Sequence, residues 1–133
     1  MVCIYCGENT RVVNSRPQKT LNSTWRRRQC QKCQAIFTSV EKTDYASSLR
    51  VRHTEALQPF IEEKLFMSIH ESLKHLQKPA ETAKELLQTI VSLLVRQSEN
   101  ACVSTAEIIE ITANVLERFD AVAGMHYQAR YKR

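Results

Sequence analysis

The feature that most limits what this chain can fold into is a doubled cysteine spacing, Cys3-x2-Cys6 and Cys30-x2-Cys33, with 23 residues between the pairs. A C-x2-C pair on a tight turn aims two thiolates at one point. Two such turns complete a closed tetrahedral site of the kind structural zinc occupies. Four thiolates repel one another, so a divalent ion of intermediate softness is what holds them together. Zinc meets that need, and spacing alone also admits iron. Five cysteines, an odd count, and no basic-then-apolar leader argue against a disulfide framework. Cys102, outside the pairs, reads as a small half-buried residue ahead of a helix. A module this short has little core, so the ion is expected to supply much of its folding energy, on the order of 10–16 kcal/mol by analogy with finger peptides. With four protein thiolates no coordination position stays open for water, so the expected metal is structural rather than catalytic.

Between and after the cysteine turns, Arg11–Asn14, Thr24–Gln29 and Ala35–Val40 read as strands, the outline of a three-stranded antiparallel zinc ribbon. Arg26, Arg27 and Arg28 stand at consecutive positions, with Arg11 and Arg16 nearby. Strand side chains alternate faces, so Arg26 and Arg28 should share one face and Arg27 take the other. Charge follows the same division. Residues 1–45 hold 8 Lys+Arg against 3 Asp+Glu, whereas residues 46–133 hold 11 of each, so the net charge of +5 belongs to the first third. Guanidinium forks suit phosphate oxygens and guanine edges. A basic cluster on one stapled element is the electrostatic footprint of a nucleic-acid partner. Arg11, Arg16, Arg26, Arg27 and Arg28 are therefore the candidate DNA-binding residues, and Trp25 reads as ribbon core.

A change of composition near Thr43–Ser48 marks the expected boundary between a ribbon of residues 1–45 and a second domain of residues 46–133. Leu49–Arg52 and Ala56–Gln58 read as a short β hairpin. An apolar stripe then recurs at Ile61, Leu65, Ile69, Leu73 and Leu76, the helical period. Pro79 opens a second helix with Ala83, Leu86, Leu87, Ile90, Val91 and Leu94 inward. Ser104-Thr105-Ala106-Glu107 forms a capping box ahead of Ile108, Ile111, Val115 and Phe119. Asp120 to Gly124 is expected to end that helix, with Met125–Tyr131 as a last strand. The class is α+β, a mainly helical domain with a short hairpin behind a small ribbon. Two glycines in the whole chain exclude a P-loop or a G-x-G-x-x-G turn, and no His–carboxylate constellation is legible. The histidines at 53, 70, 75 and 126 lack metal-ligand spacing. Arg50, Arg52, Lys64 and Arg130 are the basic groups able to converge on an anion. The longest apolar runs are too short to cross a bilayer, so no membrane partner is expected, and a cytoplasmic, nucleoid-associated protein is the default.

This order of parts resembles the bacterial ribonucleotide-reductase repressor family, NrdR. The likeness is carried by the two C-x2-C pairs, Ser15-Arg16-Pro17, Trp25-Arg26-Arg27-Arg28-Gln29-Cys30 and Phe37-Thr38. In that family a zinc ribbon precedes an ATP-cone, a nucleotide-sensing domain. The cone likeness rests on Val51-Arg52, Gln58-Pro59-Phe60, Glu63-Lys64-Leu65, Val103-Ser104 and Asp120-Ala121-Val122-Ala123 before Tyr127 and Tyr131. It departs from the pattern at Thr54-Glu55, where many cones have Asp-Gly, and at Gly124-Met125-His126-Tyr127. The resemblance implies a non-enzymatic, nucleotide-responsive repressor. Operator DNA would bind the ribbon, structural Zn2+ would hold it, and ATP or dATP would act as effectors on the oligomeric state. It also implies a nucleotide site drawn from Arg50, Val51, Arg52, Lys64, Tyr127 and Tyr131. The alternative is a zinc-ribbon module that binds protein or RNA and senses no nucleotide.

Overall fold

The computed structural model describes residues 1–132, which divide into two compact units, Met1–Thr43 and Asp44–Arg133, the second described as far as Lys132. The first unit is a three-stranded antiparallel sheet of β1 (Thr10–Gln18), β2 (Ser23–Cys30) and β3 (Ile36–Glu41), in the order β1-β2-β3. A 3-10 turn at Lys19–Leu21 links β1 to β2, and Asn22 closes it in the left-handed region at φ 46. Each cysteine pair sits on its own hydrogen-bonded turn. The first is closed by Gly7 N–H to Cys3 O at 2.9 Å, with Gly7 at φ 76, and the second by Cys30 N–H to Ala35 O at 2.9 Å. Among the described residues of this unit only Cys3 and Cys30 are buried, 2% and 0% exposed. A sheet with no side chains buried on either face other than two sulfur ligands cannot hold itself by apolar burial.

The second unit opens with a single turn, α1 (Tyr45–Ser48), capped by the Asp44 carboxylate on Ala46 N–H. A hairpin follows, β4 (Arg50–His53) and β5 (Ala56–Pro59), then the helices α2 (Glu62–Ser72) and α3 (Pro79–Gln97), a short strand β6 (Cys102–Ser104), and α4 (Thr105–Phe119) and α5 (Ala121–Tyr131). β6 pairs parallel to β4, so the hairpin gains a third strand in the order β5-β4-β6. That strand is three residues long and its partner lies some fifty residues away, too short and too distant to announce itself by alternation. The expected stripes do face inward: Leu65, Ile69, Ala83, Leu87, Ile90, Val91 and Leu94 are all buried. Ile61 and Phe119 are the exceptions, 40% and 50% exposed: Ile61 stands ahead of α2 as its N-cap, and α4 turns its inner face through Ile111, Thr112 and Leu116 and ends as Phe119 passes the core.

Met125–Tyr131, expected as a strand, is instead the body of α5. Two local devices make it so. Asp120 ends α4 and starts α5, its carboxylate accepting the Ala123 N–H at 2.8 Å. Gly124, which reads as a stop, is a contact glycine: a Cβ there would stand 2.7 Å from the Glu117 Cα. The missing side chain lets α5 fold back flush against α4, and Ala123 and Tyr127 then close the core.

Candidate metal centre and nucleic-acid interface

The ribbon brings its four thiols to one place. Cys3 Sγ lies 3.7 Å from Cys33 Sγ and Cys6 Sγ lies 3.5 Å from Cys30 Sγ, with all four sulfurs within 4.8 Å of one another. Four sulfurs at ~2.3 Å from a tetrahedral ion stand ~3.8 Å apart, so the cluster needs only slight contraction to grip zinc. Backbone amides already favour charge there. The Cys33 and Lys32 N–H groups reach Cys30 Sγ at 3.4 Å, and the Tyr5 N–H reaches Cys3 Sγ at 3.5 Å. The Cys30 thiol falls to about 6, chiefly through the Cys33 N–H, against a desolvation that pushes it up. Cys33 behaves oppositely. The Ala35 N–H favours its thiolate, but burial and the three neighbouring sulfurs outweigh that and push it up to about 12. Four thiolates this close repel one another, and a divalent cation supplies the charge that lets them ionise together. A zinc ribbon and its four-cysteine cluster thus support structural Zn2+, with Cys3, Cys6, Cys30 and Cys33 able to hold it. Cys102 lies in the second unit, half-buried on β6, and takes no part in the cluster.

Strand register sorts the five candidate arginines into two groups. On β2, Arg27 pairs laterally with Asn14 and Thr38, Trp25 with Arg16 and Val40, and Gln29 with Arg11 and Ile36. Directly opposed residues share a face, so Arg11, Arg16 and Arg27 stand together, with no acidic residue on that face of the strands. Arg11 and Arg16 are five positions apart and would occupy opposite faces of a regular strand. The bulge between Val12 and Asn14 inserts the extra residue that returns them to one side. The other face holds Arg26 and Arg28, and both are engaged: Arg26 is ion-paired to Glu41, and Arg28 Nε donates to Ser39 Oγ at 2.9 Å. Arg27 and Arg16 are exposed, and Arg11 reaches Gln29 Oε1 at 2.9 Å across the strands. The consecutive arginines announced the charge. Glu41 for Arg26 and Ser39 for Arg28 decide which of them are tied down, and only register reveals it.

In the second unit, Arg50 and Arg52 line a cleft of about 330 Å³ together with Glu99, Asn100, Ser104 and Glu107. The cleft exists because β6 docks beside β4, setting Cys102 opposite Arg50 and Ser104 opposite Arg52. Ser104 caps α4, its Oγ accepting the Glu107 N–H at 3.1 Å while the Glu107 carboxylate accepts the Ser104 N–H. That N–H, with a smaller pull from Arg52, holds Glu107 below the usual carboxylate range. The other nucleotide candidates lie elsewhere. Val51 packs on the core from β4, Lys64 is exposed on α2, and Tyr127 is 2% exposed with its ring 4.7 Å from that of Tyr131. None of these lines the cleft. Burial pushes the Tyr127 hydroxyl up, as expected of a core tyrosine. Also unforeseen is a histidine–carboxylate contact, His75 Nε2 to Asp120 Oδ1 at 3.0 Å, with the His126 ring edge-on at 5.6 Å. Its partners are 45 residues apart, and each alone reads as an ordinary helix-end residue.

Comparison with known proteins points one way. A family described as "Transcriptional repressor NrdR-like, N-terminal domain" matches residues 1–41. The transcriptional repressor NrdR of Lachnoclostridium phytofermentans is 32% identical over 99% of this chain and 86% of its own length. That of Sphingopyxis alaskensis is 31% identical, covering 99% and 85%, and that of Novosphingobium aromaticivorans is 32% identical, covering 99% and 83%.

Proposed function

The chain belongs to the NrdR family of transcriptional repressors, and we propose that it silences ribonucleotide-reductase genes by binding their operators through the ribbon while its helical unit reads adenine nucleotide. Zinc held by Cys3, Cys6, Cys30 and Cys33 keeps the sheet folded, and no catalytic turnover is involved. The observation that carries this reading is the open ribbon face bearing Arg11, Arg16 and Arg27 without an opposing acid. Each guanidinium that neutralises a phosphate releases counterions, so affinity becomes steeply salt-dependent. Arg26 and Arg28, tied to Glu41 and Ser39, brace the sheet from behind.

For the nucleotide, the cleft at Arg50 and Arg52 supports a phosphate contact. Lys64 and Tyr131 enter on family likeness alone, and Tyr127 serves by packing beneath Tyr131. One ribbon offers few contacts, so homo-oligomers of a cytoplasmic, nucleoid-associated protein are the binding species, with avidity gains of about 10²–10⁴. ATP and dATP would act by favouring different assemblies, since a ligand shifts an equilibrium only through differential affinity.

The test compares the two faces. Arg27→Ala should weaken operator binding and reduce the slope of log affinity against log salt by about 0.9. Arg26→Ala, on the engaged face, should leave that slope unchanged. Equal slopes in wild type and Arg27→Ala would remove the face from the reading. Light scattering without nucleotide, with ATP and with dATP tests the other half; identical masses in all three would retire nucleotide control.

A further inference from the structure

The two outer edges of the ribbon are built differently, and the difference points to a partner. β1 is blunted by the devices that keep a sheet edge from pairing: a bulge between Val12 and Asn14, Pro17 without an N–H, and two arginines. β3, six residues of Ile36-Phe37-Thr38-Ser39-Val40-Glu41, has no proline, no bulge and no basic residue. Among the described residues it pairs only with β2, which leaves its outer edge open. Of its exposed side chains Ile36 at 47% and Val40 at 54% are apolar, with Thr38 between them and Glu41, paired to Arg26, at the strand's end.

We infer that β3 pairs antiparallel with β3 of a second copy of this chain about a two-fold axis at Thr38. This rests on the reading of the ribbon as the DNA-binding part of a homo-oligomer and names the surface that joins two ribbons. The register follows from the strand itself. Centring on Thr38 sets Ile36 against Val40 of the other copy, twice, so two exposed apolar pairs leave water together. An axis through Thr38 perpendicular to the sheet keeps like faces together. The two three-stranded sheets become one of six strands, with Arg11, Arg16 and Arg27 of both copies on one side. At ~4.8 Å between strands the two β2 rows lie about 14 Å apart, close enough for one duplex to meet both. A shift of register by one residue would put the arginine faces on opposite sides. Growth stops at two, because the edges left outside are the blunted β1 strands. Like charge on the joined face opposes pairing, so duplex DNA strengthens it.

The test is made on the full zinc-loaded chain. A photoreactive p-benzoylphenylalanine replaces Ile36, and 14N- and 15N-labelled protein are mixed to mark links between copies. After illumination, with and without a duplex carrying the upstream region of a ribonucleotide-reductase gene, mass spectrometry should place the intermolecular link at the peptide holding Val40, more abundantly with the duplex. Links confined to one copy, or joined only to the helical unit, overturn the pairing. Ile36→Lys should weaken ribbon association on the order of tenfold, and Ile36→Lys combined with Val40→Glu should restore it, because each lysine then faces a glutamate of the other copy. Failure of the double variant to recover, with zinc content intact, overturns the register. Intact salt-dependent DNA binding without the link would retire the edge and leave the arginine face standing. The link without salt-dependent binding would do the reverse.

Discussion

Within Met1–Thr43 the buried side chains are Cys3 and Cys30, while within Asp44–Arg133 Leu49, Ile69, Ile90, Leu94 and Leu116 fill a continuous core. One unit places its folding energy in four sulfur–metal bonds, the other in apolar area removed from water. The consequence shows on their surfaces. A sheet with no core to cover can leave both faces polar, so β2 carries three consecutive arginines without burying a charge. Four helices around a core must spend their inner faces on packing, and clusters of polar side chains are left to edges, such as the cleft beside β6. Metal removal should therefore separate the two units more sharply than any substitution. A strong chelator should unfold residues 1–43, with the loss of about 10–16 kcal/mol, and leave the helical circular-dichroism signal near its full value. Parallel loss of helix would mean that the units do not fold independently.

A core deletion should do the converse. Ile90 is 0% exposed at the centre of α3, and Ile90→Ala should cost about 2–5 kcal/mol of the helical unit's stability. Zinc content should stay at one per chain, read by metal analysis on the same sample. Zinc loss on that substitution would show that the core supports the ribbon.

The contrast also explains what could be read from the sequence. Local chemistry was legible: the C-x2-C turns, the alternation of Arg26 and Arg27, the capping box at Ser104, and the inward stripe of α3 each depend on neighbours a few residues away. What escaped depends on distant partners. Glu41 and Ser39 select which arginines are engaged, β6 needs β4 to be a strand at all, and Gly124 takes its meaning from Glu117. A glycine four residues after a helix-ending Asp has the signature of a stop, and only the close approach of α4 turns it into a packing requirement. Gly124→Ala tests that. Alanine favours helix by about 1 kcal/mol, but its Cβ would meet backbone at 2.7 Å, and forced separation of packed helices costs about 1–3 kcal/mol. The expected net loss is about 1 kcal/mol in the helical unit, measured by denaturant midpoint. A gain in stability would show that α4 and α5 part freely.

The finest distinction concerns acid. Asp120 is held below the usual carboxylate range, first by the Ala123 N–H and then by His75. A carboxylate with a depressed folded pKa adds stability that is present above its unfolded value of about 3.9 and is lost as pH falls through the folded one. Below about pH 4 the α4–α5 junction should therefore weaken. Asp120→Asn keeps an oxygen to cap Ala123 N–H but removes the titration. Glu71, held low chiefly by Lys74, and Glu107, held low by the Ser104 N–H, titrate alike in both proteins, so the difference isolates Asp120. Acid also protonates the cysteine ligands and releases the ribbon's ion, so the readout must be helical ellipticity rather than total signal. Wild type should lose its advantage over Asp120→Asn as pH drops from about 5 to about 2. A constant difference across that range would mean that the Asp120 contacts hold the junction by geometry alone, and that charge has no part in how the core-built unit meets acid.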